Sequence, residues 1–486
     1  WLKKVLLSQI SLALSAAHAT HSSLGCVGHL LHSLGQQRLH ILGRSMPSSV
    51  GGECAEDNET TPLVEEEGKV ESAFGKKHDS QCLSRQQGHA SSLNLIANLI
   101  TCGLGTGVFT LPWSTAGASI APALLIIATV LALNAWTISI LVEAAERHQV
   151  FDLGSLLARL PGHLGKVAQI FCNCVLGLSM FLVLVGYIVV ITDCSLTSMP
   201  TYAGVAGVRQ RSTVVLLASA LILPLCFLDQ RRLSMTSVLA VCANGVIFSQ
   251  LLAQFGFEEK EGNRPPICYL GLSWGSIAMV SAMMQTVVIQ MCVLPMYKEL
   301  TDRSPEKFNR ITAISFTALF FICAGYSVAG YVTFGKGVSS NILLNLPSTH
   351  WGQLSRLSAA AAVAAVFPII LGPMVAPLAN AEAIGTVHGR KLQTMAICGI
   401  VFAVMCAALF VHDLGFLNVI NGAMSMGVFV ALVPSLVGLH LLGPRSTAWR
   451  AGMYTLAILG FLFSIVGMIM TDNFAKYDCA FPHFTT

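Results

Sequence analysis

Apolar runs of about 20 residues follow one another along this chain, at roughly residues 93–113, 120–144, 167–191, 214–228, 235–257, 277–297, 311–334, 357–378, 395–411, 416–439 and 451–470. Nearly all are long enough to cross the ~30 Å hydrocarbon core of a bilayer as a helix. Only 11% of the residues are charged and 54% are hydrophobic, where an ordinary soluble domain has about 25% charged residues. The succession predicts an all-α polytopic membrane protein of about eleven transmembrane helices. The fourth run is the shortest and has Pro224 inside it.

The first run differs from the others. Residues 91–117 read SSLNLIANLITCGLGTGVFTLPWSTAG, with Gly103, Gly105 and Gly107 in the middle. Glycine inside a helix costs about 1 kcal/mol against alanine. Lipid offers no partner to freed backbone groups, so an interruption is tolerated only beside a cavity or ligand. A broken span at the midplane reads as the substrate site of a transporter. The alternative is packing, because small residues spaced like Gly103 and Gly107 also allow helices to approach closely.

The net charge of +4 is no argument for a nucleic acid partner, but its distribution bears on topology. Alternate connections are rich in cations: Arg147, Arg159 and Lys166, then Arg231 and Arg232, then Lys298, Arg303, Lys307 and Arg310, then Arg390 and Lys391, then Arg445 and Arg450. The opposite connections mix Arg209, Arg211, Lys260, Arg264, Lys336 and Lys476 with Asp193, Glu258, Glu259, Glu261, Asp413, Asp472 and Asp478. The asymmetry predicts a cytoplasmic N-terminus, an odd number of spans and a C-terminus outside or in a lumen. Residues 91–471 form the transmembrane domain on this reading, flanked by a cytoplasmic tail over 1–90 and a short tail over 472–486.

The N-terminal stretch has two parts. Residues 1–52 contain Lys3, Lys4, Arg38 and Arg44 but no acid. Their start, WLKKVLLSQISLALSAAHA, fits a signal or transit peptide, or, since the first methionine is Met46, sequence upstream of the translated protein. Residues 53–89 are polar and poor in aromatics, the composition of a disordered tail. Within it residues 59–64 resemble the acidic dileucine-type sorting signals of endosomal, lysosomal or vacuolar proteins, and the expected location is the plasma membrane or a vacuolar or lysosomal membrane. The sequon at Asn58 falls on the cytoplasmic side and is expected to stay unglycosylated.

Most of the fifteen cysteines lie in apolar runs, where a thiol packs as a small hydrophobe. Cys194 and Cys268 fall in expected outside loops, where a disulfide between them is permitted. Neither a CxxC nor a Cys/His cluster with zinc spacing occurs. No metal or cofactor is expected.

Residues 285–335 read QTVVIQMCVLPMYKELTDRSPEKFNRITAISFTALFFICAGYSVAGYVTFG. This segment resembles the amino acid/auxin permease family, above all its sodium-coupled neutral amino acid transporter branch. The resemblance rests on Val293, Leu294, Pro295, Tyr297, Glu299, Leu300, Asp302, Arg303 and Ser304 at the end of the sixth run. Gly330, Tyr331, Thr333, Phe334 and Gly335 carry it at the end of the seventh, and Asn98 with Gly105-Thr106-Gly107 in the first. It implies a leucine-transporter-type fold, two inverted repeats of five helices plus one C-terminal helix, with the first and sixth spans broken at the midplane. A neutral amino acid is the implied substrate, on a site that includes Asn98, Gly103, Gly105, Thr106, Gly107, Gln285 and Gln290. Half-helix N-termini there present N–H groups and a positive dipole end to a carboxylate.

Two positions depart from the pattern of the sodium-coupled members. Thr101 replaces an asparagine in the first span, and Val366 replaces a threonine in the eighth. Valine leaves only its backbone to a cation, so the coupling ion, proton or sodium, stays open. The family's histidine in the sixth span is Gln290, which cannot titrate near neutral pH. Remaining ionisable candidates are Glu143, Glu146, Asp193, His412 and Asp413, all expected near span ends. Asn173, Asn244, Asn418 and Asn421 either join helices or line the pathway, and Tyr187 either packs or closes over substrate.

Other functions fit less well. A phosphate-binding glycine motif must follow a strand and open a soluble helix, whereas this one lies inside an apolar run. A channel would need a polar stripe or charged ring along a span. The sequence therefore reads as a secondary carrier working by alternating access, driven by a cation gradient. A sensor that binds an amino acid without turnover is the alternative.

Overall fold

The computed structural model describes residues 90–198, 207–227, 236–261, 265, 267–271, 273–379, 386–443 and 445–470. The chain divides into two units, Trp1–Leu83 and Ser84–Thr486. The first unit lies outside the described residues, together with the expectations placed on residues 1–45, the sorting signal, Asn58 and the tail 472–486.

The chain is helical throughout the described residues, with one isolated bridge between Ala90 and Leu300. Helix α1 is Ser92–Cys102, opened by the Ser91 hydroxyl accepting from the Asn94 N–H. A 3-10 turn, Thr106–Thr110, leads into α2, Leu111–Ala118, with Pro112 in its first turn where no N–H is needed. Next come α3 (Ile120–His148), the short α4 (Leu153–Leu157) and α5 (His163–Ser198). They are followed by α6 (Gly207–Leu225) and α7 (Thr236–Glu261). The sixth run is split into α8 (Gly275–Val287) and α9 (Gln290–Glu299). Then follow α10 (Pro305–Phe334), α11 (His350–Ala379) and α12 (Thr386–Phe410). The tenth run is α13 (Leu414–Ser425), a π-helix over Met426–Leu432, and α14 (Val433–His440). Helix α15 (Thr447–Met470) ends the described chain.

Among the described residues eight helical stretches are long and apolar enough to cross a membrane, nine when the bent pair α1 and α2 is one span. The expected eleven is reached only by adding the shorter apolar parts of α6 and α7, Arg211–Leu225 and Ala240–Gly256. Pro224 lies inside α6 without ending it.

Burial orders the helices. Of the most apolar window in Leu414–His440, 83% is buried, and in Gly275–Glu299 67%, against 22% for Lys391–Phe410 and 28% for Thr447–Met470. The tenth and sixth spans are therefore central, while α12 and α15 are peripheral. Tight contacts set this core. A Cβ on Gly422 of α13 would overlap the Ser281 carbonyl of α8, and one on Gly427 would lie 2.8 Å from Ser464 Oγ of α15.

The two broken spans are joined at one end of the bundle. The Ala90 N–H donates to the Glu299 carbonyl (2.9 Å) and the Thr301 N–H to the Ala90 carbonyl (3.1 Å), so the entry to α1 is tied to the exit of α9. At the same end Tyr297 donates to Glu146 Oε2 (2.9 Å), Arg303 pairs with Glu146 (3.3 Å) and lies 4.3 Å over the Phe151 ring, and Arg445 pairs with Glu143. Glu143 and Glu146 thus serve as ends of ion pairs.

The expected disulfide is corrected. Cys194 is a free, buried thiol, while Cys268 is disulfide-bonded elsewhere. Helix α5 runs on to Ser198, so residue 194 belongs to the packed helix rather than to a loop. Asp193 is likewise inside α5, and only 5% exposed.

Candidate functional site

The first span breaks at its glycines. Gly103 caps α1 with its N–H on the Leu99 carbonyl (3.1 Å), Gly105 is extended (φ −78°, ψ −172°), and the two halves bend by 46°. The first donor of the 3-10 turn is the Val108 N–H, to the Gly105 carbonyl at 3.2 Å. The N–H groups of Gly105, Thr106 and Gly107 precede it and have no acceptor within the turn. They form the positive end of the Thr106–Ala118 segment.

Each glycine has its own neighbourhood. A Cβ on Gly103 would meet Leu319 of α10 at 2.7 Å, and one on Gly107 would lie 2.9 Å from Thr286 Cα of α8. A Cβ on Gly105 would have nothing within 4 Å. Packing and opening thus divide among the three, with the outer glycines drawing the break against its neighbours and the central one bordering free space.

Asn418 of α13 braces the unwound stretch, its Nδ2 donating to Thr110 Oγ1 (3.3 Å) and, more weakly, to the Thr106 carbonyl (3.5 Å). Thr106 is buried. Asn421, one turn on, donates to the Ser179 carbonyl of α5 at 3.3 Å. Sequence reasoning gave these amides two readings, and the contacts show both joining helices.

The second break lies at Val288 and Ile289, with Val288 extended (φ −74°, ψ 94°). Gln290 opens α9 and is fully buried; its Nε2 donates to Asn134 Oδ1 (2.6 Å) and Thr137 Oγ1 (3.3 Å) of α3. Asn134 donates in turn to the Val130 carbonyl (2.8 Å), which fixes the direction of this chain of amides. Gln290 therefore braces the break against α3, and its Oε1 is left buried without a donor. Gln285 is half-buried at the last turn of α8. Neither Asn134 nor Thr137 was singled out from the sequence.

One face of α1 is open. Asn94, Asn98 and Cys102 are exposed and Thr101 partly so, while Leu95 and Leu99 are buried. Helix α1 packs on α10 and α7, whereas α11, which carries Val366, packs on α5, α7 and α12. Thr101 uses its hydroxyl on the Ala97 carbonyl (2.8 Å). At the other end of the span the bundle is shut: a Cβ on Gly415 would lie 2.7 Å from the Trp113 ring, and one on Gly330 2.6 Å from Pro112. Tyr187 of α5 is buried and its ring sits 6.5 Å from that of Phe367 on α11. One face of α1 is thus exposed toward the Ser91 end, whereas the Trp113 end is closely packed.

This asymmetry predicts a labelling pattern. With Cys102 replaced by serine, Asn98→Cys is expected to react with a membrane-impermeant thiol reagent added on the Ser91 side of sealed vesicles. No reaction is expected from the opposite side.

Among the described residues no group of three or more His, Cys, Asp or Glu gathers to hold a metal ion. What the breaks present instead is backbone donors, amides and free space in an apolar bundle. Residues 88–472 match the family model of the transmembrane amino acid transporter proteins. The chain belongs to that family. Its members are membrane transporters, not enzymes, and amino acids are their substrates.

Individual relatives of this transporter are distant. The amino acid transporter AVT1J of Arabidopsis thaliana is 23% identical over 82% of this chain and 93% of its own length. Vacuolar amino acid transporter 7 of Saccharomyces cerevisiae is 27% identical over 34% of this chain and 36% of its own. A sodium-coupled neutral amino acid symporter of Danio rerio is 23% identical over 38% and 36%. Among solved structures, MhsT in complex with L-phenylalanine aligns over 79% of this chain and 99% of its own at 14% identity and a TM-score of 0.48.

Proposed function

We propose that this transporter is a secondary carrier of neutral amino acids that works by alternating access and is driven by a proton or sodium gradient. Gly105 carries the reading: it borders free space at a break whose neighbouring glycines are packed. The substrate carboxylate would accept from the Gly105, Thr106 and Gly107 N–H groups, helped by the dipole of the Thr106–Ala118 segment. Asn98 lies on the open face of α1, and Gln285 lies in the last turn of α8, just before the second break. None of the residues of the two breaks, 103–107 and 287–290, is charged, which favours a substrate with an uncharged side chain.

Taking the cation-rich connections as cytoplasmic, the open face of α1 looks into the cytoplasm. Thr101 and the backbone at Val366 are the candidate cation ligands, and they come together only if α1 swings toward α11. That would couple ion binding to closure. The membrane of this reading is the plasma membrane or a vacuolar or lysosomal one; of the relatives named above, the yeast protein is called vacuolar.

Flux of radiolabelled alanine and glutamine into proteoliposomes, under an imposed sodium gradient or an imposed pH gradient, tests the reading. Accumulation driven by either gradient is expected. Specific binding with no flux under both would make the protein a sensor and overturn the carrier.

A further inference from the structure

Arg211 stands in the first turns of α6 and reaches Asp193 of α5, its Nη1 donating to Oδ1 at 2.9 Å. Asn341, from the segment between α10 and α11, donates its Nδ2 to the other carboxylate oxygen at 3.1 Å. Asp193 and Asn341 are 5% and 1% exposed. Three separate elements therefore meet on one carboxylate, at the end of the bundle opposite Ser91.

The rest of the arginine is unused. Its Nε and Nη2 are buried and have no hydrogen-bond partner. In a guanidinium these two nitrogens share one edge, and their N–H bonds run parallel. That edge grips a carboxylate with two hydrogen bonds at once. The aspartate receives the single Nη1 donor, so its pairing with Arg211 leaves this edge to another acceptor.

We propose that the Nε/Nη2 edge of Arg211, with Asp193 beside it, is a second amino acid site. The α-carboxylate of the zwitterion lies along the edge, and its ammonium faces Asp193, whose oxygens each keep a lone pair after bonding Arg211 and Asn341. The planar, two-oxygen group matches the edge in a way a halide does not. The ligand class rests on the amino acid carrier reading, but the site shares no residue with the break. A substrate held there waits at the end of the path that is shut in this conformer.

Equilibrium dialysis of the purified full chain with radiolabelled L-alanine, in gluconate and in chloride buffer, tests the site. Two alanines per chain are expected for the wild type in both buffers. One is expected for Arg211→Lys, which keeps a cation beside Asp193 without the parallel donors, and one for Gly105→Leu, which keeps the Arg211 edge. The residual alanine shows that each variant has folded. A wild type that binds one alanine, lost in Gly105→Leu, overturns the second site and leaves the carrier intact. No alanine bound by the wild type overturns both. An Arg211-dependent alanine present in gluconate and absent in chloride assigns the edge to a halide and also overturns the proposal.

Discussion

Uptake by Gly105→Leu is expected to fall by roughly two to four orders of magnitude, with the protein still reaching its membrane in near-normal amount. Position 105 has ordinary backbone angles for any residue (φ −78°), and a Cβ there meets nothing within 4 Å. The fold therefore tolerates the larger side chain. On the proposed reading, the space it enters is the one the substrate carboxylate occupies. A carboxylate held off two of those donors forfeits charge-assisted hydrogen bonds of about 1.5–3 kcal/mol each. That sum sets the expected loss. Initial rates of amino acid flux in proteoliposomes, normalised to protein incorporated, measure it. Gly105→Ala is expected to keep most of its uptake, and a Gly105→Leu protein that still transports would remove the break from the substrate path.

The first break was legible because glycine states its cost locally: three in five residues of an apolar run cannot be an ordinary span. The second was less so. Its bend falls in Val287-Val288-Ile289, three β-branched residues with neither glycine nor proline. Branching at Cβ weakens a helix only slightly, so a sequence pattern alone does not mark it, and the family resemblance did that work. What each glycine does was not legible at all, since the atoms that decide it belong to Leu319 and Thr286, far along the chain. Gln290 was expected to touch substrate; its nearest partners, Asn134 and Thr137, sit some 150 residues upstream on α3. Loop and helix were confused at Asp193 and Cys194 for a simpler reason. Apolar periodicity fades in the last turns of a span, so the sequence ended the third helix near residue 191 where the backbone continues to Ser198.

The contrast between neighbouring glycines makes a second large effect. Gly107→Val is expected to lower stability rather than to block the site, with a clear fall in detergent melting temperature and in yield. A Cβ at 107 would lie 2.9 Å from Thr286 Cα and 3.0 Å from its backbone nitrogen, and backbone cannot rotate away as the end of a side chain can. Forcing extra carbon into such a contact costs about 1–3 kcal/mol, and valine adds two further methyls to the clash. Thr286 is itself fixed, since its hydroxyl donates to the Ala282 carbonyl at 3.0 Å. Relief can come only by moving the 3-10 turn away from α8, which also separates the two breaks. A second-site Thr286→Gly change removes the hydroxyl and Cβ but leaves the backbone atoms, so it should restore part of the lost stability and little of the transport. Gly103→Ala offers the milder comparison, because its neighbour is the flexible end of Leu319. If thermal denaturation ranks Gly107→Val no lower than Gly105→Leu, the close approach of the first span to the sixth at Thr286 is not what holds the break together.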